Sequence, residues 1–291
     1  MYDVIIIGKG PAGCSAALYT IRANLKTLMI GMDESVLRKA AMIENYYGLA
    51  EPVSGQSLLE IGEQQISKLG GEMLTAEVFG IEWMDTFEVI TSNGNYQAKT
   101  VLIATGQPQK QMKIENIITY EGKGISYCTT CDGFFYKNRK VGVVGNKDFA
   151  VHEASSLQNF STDVTLYTNG LQLDISAENT EVVKAFHVND KKIARFEGNA
   201  SLETIVFADD STETVAGLFI ANESASSVDF AKKLGVMTVG NDITVDPTQQ
   251  TNLPGLYAAG DCTGGFKQIS TAVGQGAMAA RSMIAFVKKM R

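Results

Sequence analysis

The chain has 291 residues, 45% hydrophobic and 20% charged, enough for two domains of ordinary size with sizeable cores. Its net charge of −7 argues against nucleic acid or an anionic membrane as a ligand. No apolar run approaches the ~20 residues that span a bilayer, no charged leader precedes the first strand, and the expected compartment is the cytoplasm, where a close pair among the four cysteines points to redox or metal chemistry rather than to a staple.

Residues 4–7, Val-Ile-Ile-Ile, form the continuous apolar run of a parallel strand buried on both faces. Gly8-Lys9-Gly10-Pro11-Ala12-Gly13 follows, then helical spacing over 14–23 and a second strand over 27–30. This is a βαβ unit opened by a GxGxxG fingerprint. In such a turn Gly8 allows the sharp bend, Gly10 the close approach of a pyrophosphate, and Gly13 the packing of helix on strand. The phosphates would sit on the helix N-terminus. Asp33 and Glu34 are the acidic candidates for a ribose, though both fall just beyond the second strand. A strand over 100–104 ends in Ala104-Thr105-Gly106, and Gln107-Pro108 reads as a linker.

Cys128-Thr129-Thr130-Cys131-Asp132-Gly133 comes next. A structural zinc site would need four ligands, and the chain offers only two histidines and two cysteines in other motifs. A pair of inert thiols and a reversible redox dithiol remain, and the dithiol is the better reading, because CxxC geometry lowers a thiol pKa. Asp132 is placed either to move the proton that such chemistry requires or to serve as a turn or cap aspartate. Cys14 and Cys262 read as small buried hydrophobes, and His152 and His187 have no visible partner in the sequence.

A second unit starts near Val141: a strand over 141–144, the turn Gly145-Asn146-Lys147-Asp148-Phe149-Ala150, a helix over 149–157 and a strand over 164–167. It repeats the first with the fingerprint spoiled, Lys147 standing where the glycine for close pyrophosphate approach would be. The repeat implies an α/β chain of two tandem Rossmann-like domains. Residues 203–211 and 215–221 read as a hairpin and a strand returning to the first domain. Residues 256–261 read as a short strand and turn, and 272–288 as a long amphipathic helix. The architecture is therefore discontinuous, with one domain from residues 1–106 and 223–291 and the other, residues 107–222, inserted into it.

The fingerprint, Ala104-Thr105-Gly106, Cys128 to Asp132 followed by Gly133-Phe134-Phe135-Tyr136, and Ala258-Ala259-Gly260-Asp261 together resemble the low-molecular-weight thioredoxin reductases along essentially the whole chain. The resemblance implies a homodimeric FAD enzyme whose flavin stacks on the cysteine pair in the inserted domain. It implies that Cys131 lies nearest the flavin, that Cys128 attacks the thioredoxin disulfide, and that Asp132 is the acid/base. Beside Gly8, Gly10, Pro11, Ala12 and Gly13, it assigns FAD contacts to Met32, Asp33, Asn45, Val78, Ala104, Thr105, Gly106, Gly260, Asp261, Lys267, Gln268 and Ile269.

Members of that family that use NADPH carry three features missing here. Lys147 replaces a glycine of the second turn; Tyr167-Thr168-Asn169-Gly170-Leu171-Gln172-Leu173 contains no arginine for a 2′-phosphate; and Ala221-Asn222-Glu223-Ser224-Ala225-Ser226 replaces an Ile-Gly-x-x-Pro segment. This pattern resembles the ferredoxin-dependent flavin thioredoxin reductases, which implies ferredoxin as electron donor. An acidic ferredoxin would dock on a local basic patch: Lys137, Arg139 and Lys140, or Lys232 and Lys233, or the tail from Lys288 to Arg291. The rivals are a flavin dithiol oxidase that passes electrons to oxygen, an NADPH enzyme with an atypical nucleotide site, and a non-enzymatic redox sensor.

Overall fold

The first apolar run becomes β1 (Tyr2–Ile7), buried from Asp3 onward. It leads through the glycine turn to α1 (Pro11–Arg22) and to β2 (Thr27–Ile30), which lies parallel to β1 with Val4 opposite Thr27. The helix expected over 14–23 starts three residues earlier, because Pro11 takes the first helical position, where a missing N–H costs nothing. The computed structural model describes residues 1–33, 35–106, 112–127, 129–221 and 227–290, without the side chains of residues 130, 131 and 228. Glu34, the linker at Gln107 and Pro108, Cys128 and the boundary at Asn222 lie outside the described residues.

After β2 come α2 (Gly55–Lys68), β3 (Glu72–Leu74), β4 (Val78–Trp83), β5 (Phe87–Thr91) and β6 (Gly94–Ile103). The strand expected over 100–104 is only the end of β6. Its first half pairs antiparallel with β5 (Phe87 opposite Ala98), and its second half pairs parallel with β1 (Ile5 opposite Val101). The sheet runs β3-β2-β1-β6-β5-β4.

The second sheet holds β7 (Ile125–Ser126), then α3 (Thr129–Asp132), β8 (Val141–Val144), α4 (Asp148–Leu157), β9 (Val164–Tyr167), α5 (Ala177–Val182) and β10 (His187–Asn189). A three-stranded antiparallel ribbon follows: β11 (Ile193–Glu197), β12 (Thr204–Phe207) and β13 (Thr212–Thr214). β14 (Gly217–Ile220) corrects one expectation. It does not return to the first sheet but enters the second between β8 and β7, parallel to both, so the parallel order is β10-β9-β8-β14-β7.

The remaining chain gives α6 (Ser227–Lys233), β15 (Thr238–Val239), β16 (Asp242–Ile243), β17 (Leu256–Ala258) and α7 (Ile269–Lys289). β17 adds to β6, with Leu256 opposite Val101, and completes a seven-stranded sheet. Lys288 and Lys289 in the last turn of α7 suit its negative dipole end.

Residues 1–108 and 226–291 form one unit, and residues 109–225 another. In the first, Val4, Ile6, Ala16, Ala17, Met29, Leu102, Tyr257, Met283 and Val287 share one buried cluster. In the second, Ile125, Val144, Tyr167, Phe196, Ile205 and Leu218 do. Each large buried side chain contributes about 1.5–3 kcal/mol, and these clusters fix the strand ends from which both sites are built. Among the described residues, no helix is long and apolar enough to cross a membrane.

Candidate active site

The first unit gathers the fingerprint at the carboxyl end of β1. Gly8 has φ +118°, and a Cβ there would lie 2.2 Å from the Ala104 carbonyl oxygen. A Cβ on Gly13 would lie 2.0 Å from the Gly8 carbonyl oxygen. Both glycines are therefore imposed by backbone packing. Gly10 is different: a Cβ there would meet nothing within 4 Å. The protein itself does not need a glycine at position 10, whereas a group lying against that backbone would. Position 10 is the N-cap of α1, whose first turn has no side-chain cap and no acidic residue. Its N–H groups and dipole are available to an anion.

Other elements converge on the same turn. Ala104 donates its N–H to the Ile7 carbonyl at 2.8 Å. The next residue, Thr105, has a buried hydroxyl with no hydrogen-bond partner among the described residues, and Gly106 has φ +76° with no described atom within 4 Å of a Cβ built there. Gly260 (φ +84°) comes so near α1 that a Cβ would lie 3.1 Å from Ala12 Cβ. Its N–H donates to Gln275 Oε1 at 2.7 Å. Burial pushes the Asp261 carboxyl up, opposed by the charge of Lys267. Gln268 is the N-cap of α7, Ile269 opens that helix, and Asn45 Nδ2 donates to Gln268 Oε1 at 3.1 Å. An uncapped anion-binding helix, an orphaned hydroxyl and a glycine facing open space fit a dinucleotide such as FAD.

Asp33 is half engaged already. The Lys9 ammonium donates to Asp33 Oδ1 at 3.0 Å and to the Thr75 hydroxyl at 2.6 Å, pinning the fingerprint loop to the ends of β2 and β3. Met32, just beyond β2, is exposed. Val78 is buried at the start of β4, which stands at the opposite end of the sheet order from β3.

In the second unit, α3 is the one-turn helix of the CxxC segment. Asp132 Oδ2 accepts a 2.6 Å hydrogen bond from Ser126 Oγ on β7, and β7 is fixed by pairing with β14. The Thr129 hydroxyl donates to Glu153 Oε2 on α4 at 2.7 Å. A Cβ on Gly133 would press into the Phe160 ring at 2.6 Å, so the glycine after Asp132 is a packing requirement. Phe134 and Phe135 follow as an exposed edge-to-face pair.

The spoiled turn is closed from within. A Cβ on Gly145 would lie 2.2 Å from the Ala221 carbonyl oxygen, so the pivot glycine is retained. Asn146 Nδ2 donates to the Gln172 carbonyl (2.8 Å), and the Asn146 carbonyl accepts from Asp174 N–H (2.8 Å). Lys147 is the N-cap of α4, and Asp148 stands in its first turn, where an incoming phosphate would meet negative charge. Asp148 Oδ1 accepts from Ser176 N–H (2.8 Å), Ser176 Oγ (3.2 Å) and Asn179 Nδ2 (2.7 Å). The loop after β9, where an arginine clamp would stand, is thus tied down onto the turn.

The family model described as pyridine nucleotide-disulphide oxidoreductase matches residues 2–276. The chain belongs to that family. Its α/β fold with two Rossmann-like parallel sheets is of the family's type, and the family binds FAD. Within the family, the chain is 32% identical to a thioredoxin reductase of Aquifex aeolicus over 99% of its own length and 93% of the relative's. It is similar to the crystal structure of the atypical thioredoxin reductase TRi from Desulfovibrio vulgaris Hildenborough, at 42% identity, TM-score 0.96 and 99% coverage of each chain. A ferredoxin-flavin thioredoxin reductase from Clostridium acetobutylicum is also similar, at 26% identity and TM-score 0.74, over 99% of this chain and 98% of that one.

Two expectations for this family member need correction. His152 is not without a partner: its Nδ1 lies 3.5 Å from Glu153 Oε1. Lys140 is not a spare charge for docking, since its ammonium pairs with Glu213 at 2.7 Å. Cys14 and Cys262 are buried and free, and burial pushes both thiols up to about 12. Sequence reasoning missed Ser126, Glu153, Thr75 and Gln275, none of which belongs to a motif. The burial of Ser126 and Glu153 appears only in the fold.

Proposed function

We propose that this protein is a flavin-dependent disulfide reductase that binds FAD in its first unit, reduces thioredoxin through Cys128 and Cys131, and draws electrons from reduced ferredoxin. The observation that carries the reading is the contrast between the two turns. Gly10 faces open space beside an uncapped helix, whereas Lys147 and the bonded Asp148 occupy the corresponding place in the second unit. One dinucleotide site and a closed second turn suit an enzyme whose reductant is not a nicotinamide nucleotide.

In this reading the FAD domain is residues 1–106 and 223–291, and the inserted domain is residues 107–222. Gly8, Gly10, Pro11, Ala12 and Gly13 hold the pyrophosphate; Met32 and Asp33 serve the adenosine end, and Val78 is a contact that the resemblance alone assigns. Ala104, Thr105, Gly106, Gly260, Asp261, Lys267, Gln268, Ile269 and Asn45 serve the rest of the cofactor. Bound FAD supplies the conversion between a one-electron donor and a two-electron disulfide.

Cys128 attacks the thioredoxin disulfide, whose S–S bond breaks, and Cys131 then displaces the second thiol. Thioredoxin leaves with two electrons and two protons as a dithiol, and Cys128 and Cys131 close a disulfide. Asp132, held by Ser126, gives and takes the proton. The drop from a ferredoxin near −400 mV to a thioredoxin near −270 mV is about 130 mV, or about 6 kcal/mol for two electrons, so the transfer is downhill. Docking falls to Lys137 and Arg139, to Lys232 and Lys233, or to the tail at Lys288. A homodimer in the cytoplasm is the expected form.

The test is anaerobic mixing of the yellow protein with NADPH, NADH and reduced ferredoxin in turn, followed by flavin absorbance. Bleaching by ferredoxin, with thioredoxin restoring the colour, is expected. Rapid bleaching by NADPH would overturn the donor, and rapid oxygen consumption with a small dithiol would favour an oxidase.

A further inference from the structure

Glu153 is a buried carboxylate that the chemistry above does not use. It sits on α4 with 2% exposure. Its Oε2 accepts from the hydroxyl of Thr129, which is fully buried, and its Oε1 lies 3.5 Å from Nδ1 of His152. A buried carboxylate is costly even when hydrogen-bonded. An apolar residue would fill the same space beneath α3 without that cost, so the carboxylate at this position calls for a reason beyond packing.

Position supplies one. Thr129 follows Cys128 in sequence and opens α3, the four-residue helix that runs to Asp132 and includes Cys131. One turn of helix has almost no stability of its own. The Thr129–Glu153 bond ties this turn to α4, a ten-residue helix whose Phe149, Ala150, Val151, Ala154 and Leu157 are buried. It also sets a carboxylate against Thr129, the residue that follows Cys128 in sequence. Negative charge there works against a thiolate, and a dithiol whose reduced, partly ionised form is disfavoured is a stronger reductant.

We infer that Glu153, acting through Thr129, is a positioning residue of the dithiol: it fixes the one-turn helix that carries Cys131 and keeps the Cys128–Cys131 pair strongly reducing. The inference rests on the dithiol reading above. It also gives the carboxylate a direction of effect. Without it, the dithiol would be easier to maintain reduced and a poorer donor to thioredoxin.

The experiment measures exchange between the holoenzyme and dithiothreitol at pH 8. In that exchange the Cys128–Cys131 S–S bond breaks, its sulfurs gain two electrons and two protons, and dithiothreitol closes its own disulfide. The equilibrium is read by alkylation and mass spectrometry of the peptide carrying both cysteines, independently of flavin colour. Glu153→Gln, which keeps an acceptor but removes the charge, should shift the equilibrium toward the enzyme dithiol at least about threefold. Thr129→Val should move the same equilibrium at least about threefold, while Thr129→Ser, which keeps the hydroxyl, should match wild type. If Glu153→Gln fails to fold, the Thr129 pair decides. A Glu153→Gln or Thr129→Val equilibrium equal to wild type, in a wild type that cycles normally, overturns this inference alone. A wild type with no reversible Cys128–Cys131 disulfide overturns the dithiol reading and this inference with it.

Discussion

Ser126 Oγ donates a 2.6 Å hydrogen bond to Oδ2 of Asp132, six residues further on. The strand end that carries Ser126 is held by the β7–β14 pairing, so the carboxyl is oriented by the sheet rather than by its own short helix. Removing the donor frees the carboxyl to rotate. Ser126→Ala should lower kcat for thioredoxin reduction about tenfold, the loss expected for a hydrogen bond to a charged group, with little change in KM. In an Asp132→Asn background the same substitution should add almost nothing. Equal losses in both backgrounds would show that Ser126 acts elsewhere.

Gly8 and Gly10 separate folding from cofactor binding. A methyl on Gly8 would strike the Ala104 carbonyl at 2.2 Å in a backbone conformation that disfavours side chains. Gly8→Ala should therefore cost the apoprotein several kcal/mol and reduce its soluble yield. A methyl on Gly10 meets no protein atom, and its φ of −79° suits alanine. Gly10→Ala should melt with wild-type apoprotein, within about 0.5 kcal/mol, yet bind FAD at least about tenfold more weakly. Fluorescence titration of the two apoproteins with FAD gives the comparison, and undiminished affinity in Gly10→Ala would remove the pyrophosphate from that turn.

How far the sequence could be read follows from where each signal is stored. β1 and β8 were legible because strands buried on both faces are written as unbroken apolar runs, and α1 and α4 because they follow a strand and a glycine turn. The first half of β6 was not, because Asn95 and Gln97 belong to an antiparallel meander with one wet face. β14 was assigned to the wrong sheet, since an apolar strand carries no mark of which sheet accepts it. At the candidate site, motif residues were found by spacing. Glu153 and Ser126 were not, because their bonds to Thr129 and Asp132 exist only once α4 and β7 have packed.

Asp148 makes the closed turn testable without any redox assay. Its carboxylate gathers Ser176 and Asn179 and so anchors the loop after β9. Asp148→Ala releases three donors at a partly exposed site, and about 1–2 kcal/mol of unfolding free energy should be lost. Hydrogen exchange at Asp174 and Ser176 should rise with it. If exchange there is unchanged, other contacts hold the loop and the carboxylate is incidental.

The two buried thiols give a pH dependence of known sign. Burial raises both Cys14 and Cys262 from the ordinary thiol value of 9.0 to about 12 in the folded chain. Below pH 9 both folded and unfolded chains keep these protons, and the thiols add no pH dependence. Between pH 9 and 12 the unfolded chain releases protons that the folded chain retains, so stability falls as pH rises, by up to about 1.4 kcal/mol per pH unit for each thiol. Urea midpoints measured from pH 7 to 10.5 should be flat at first and then decline. Cys262→Ala should lower the midpoint at every pH, because it leaves a small cavity, but should decline less steeply above pH 9. Native reduced protein should also expose only Cys128 and Cys131 to a thiol reagent at pH 8, with the other two appearing on denaturation. An alkaline slope identical in Cys262→Ala and wild type would mean that its thiol ionises alike in folded and unfolded chains.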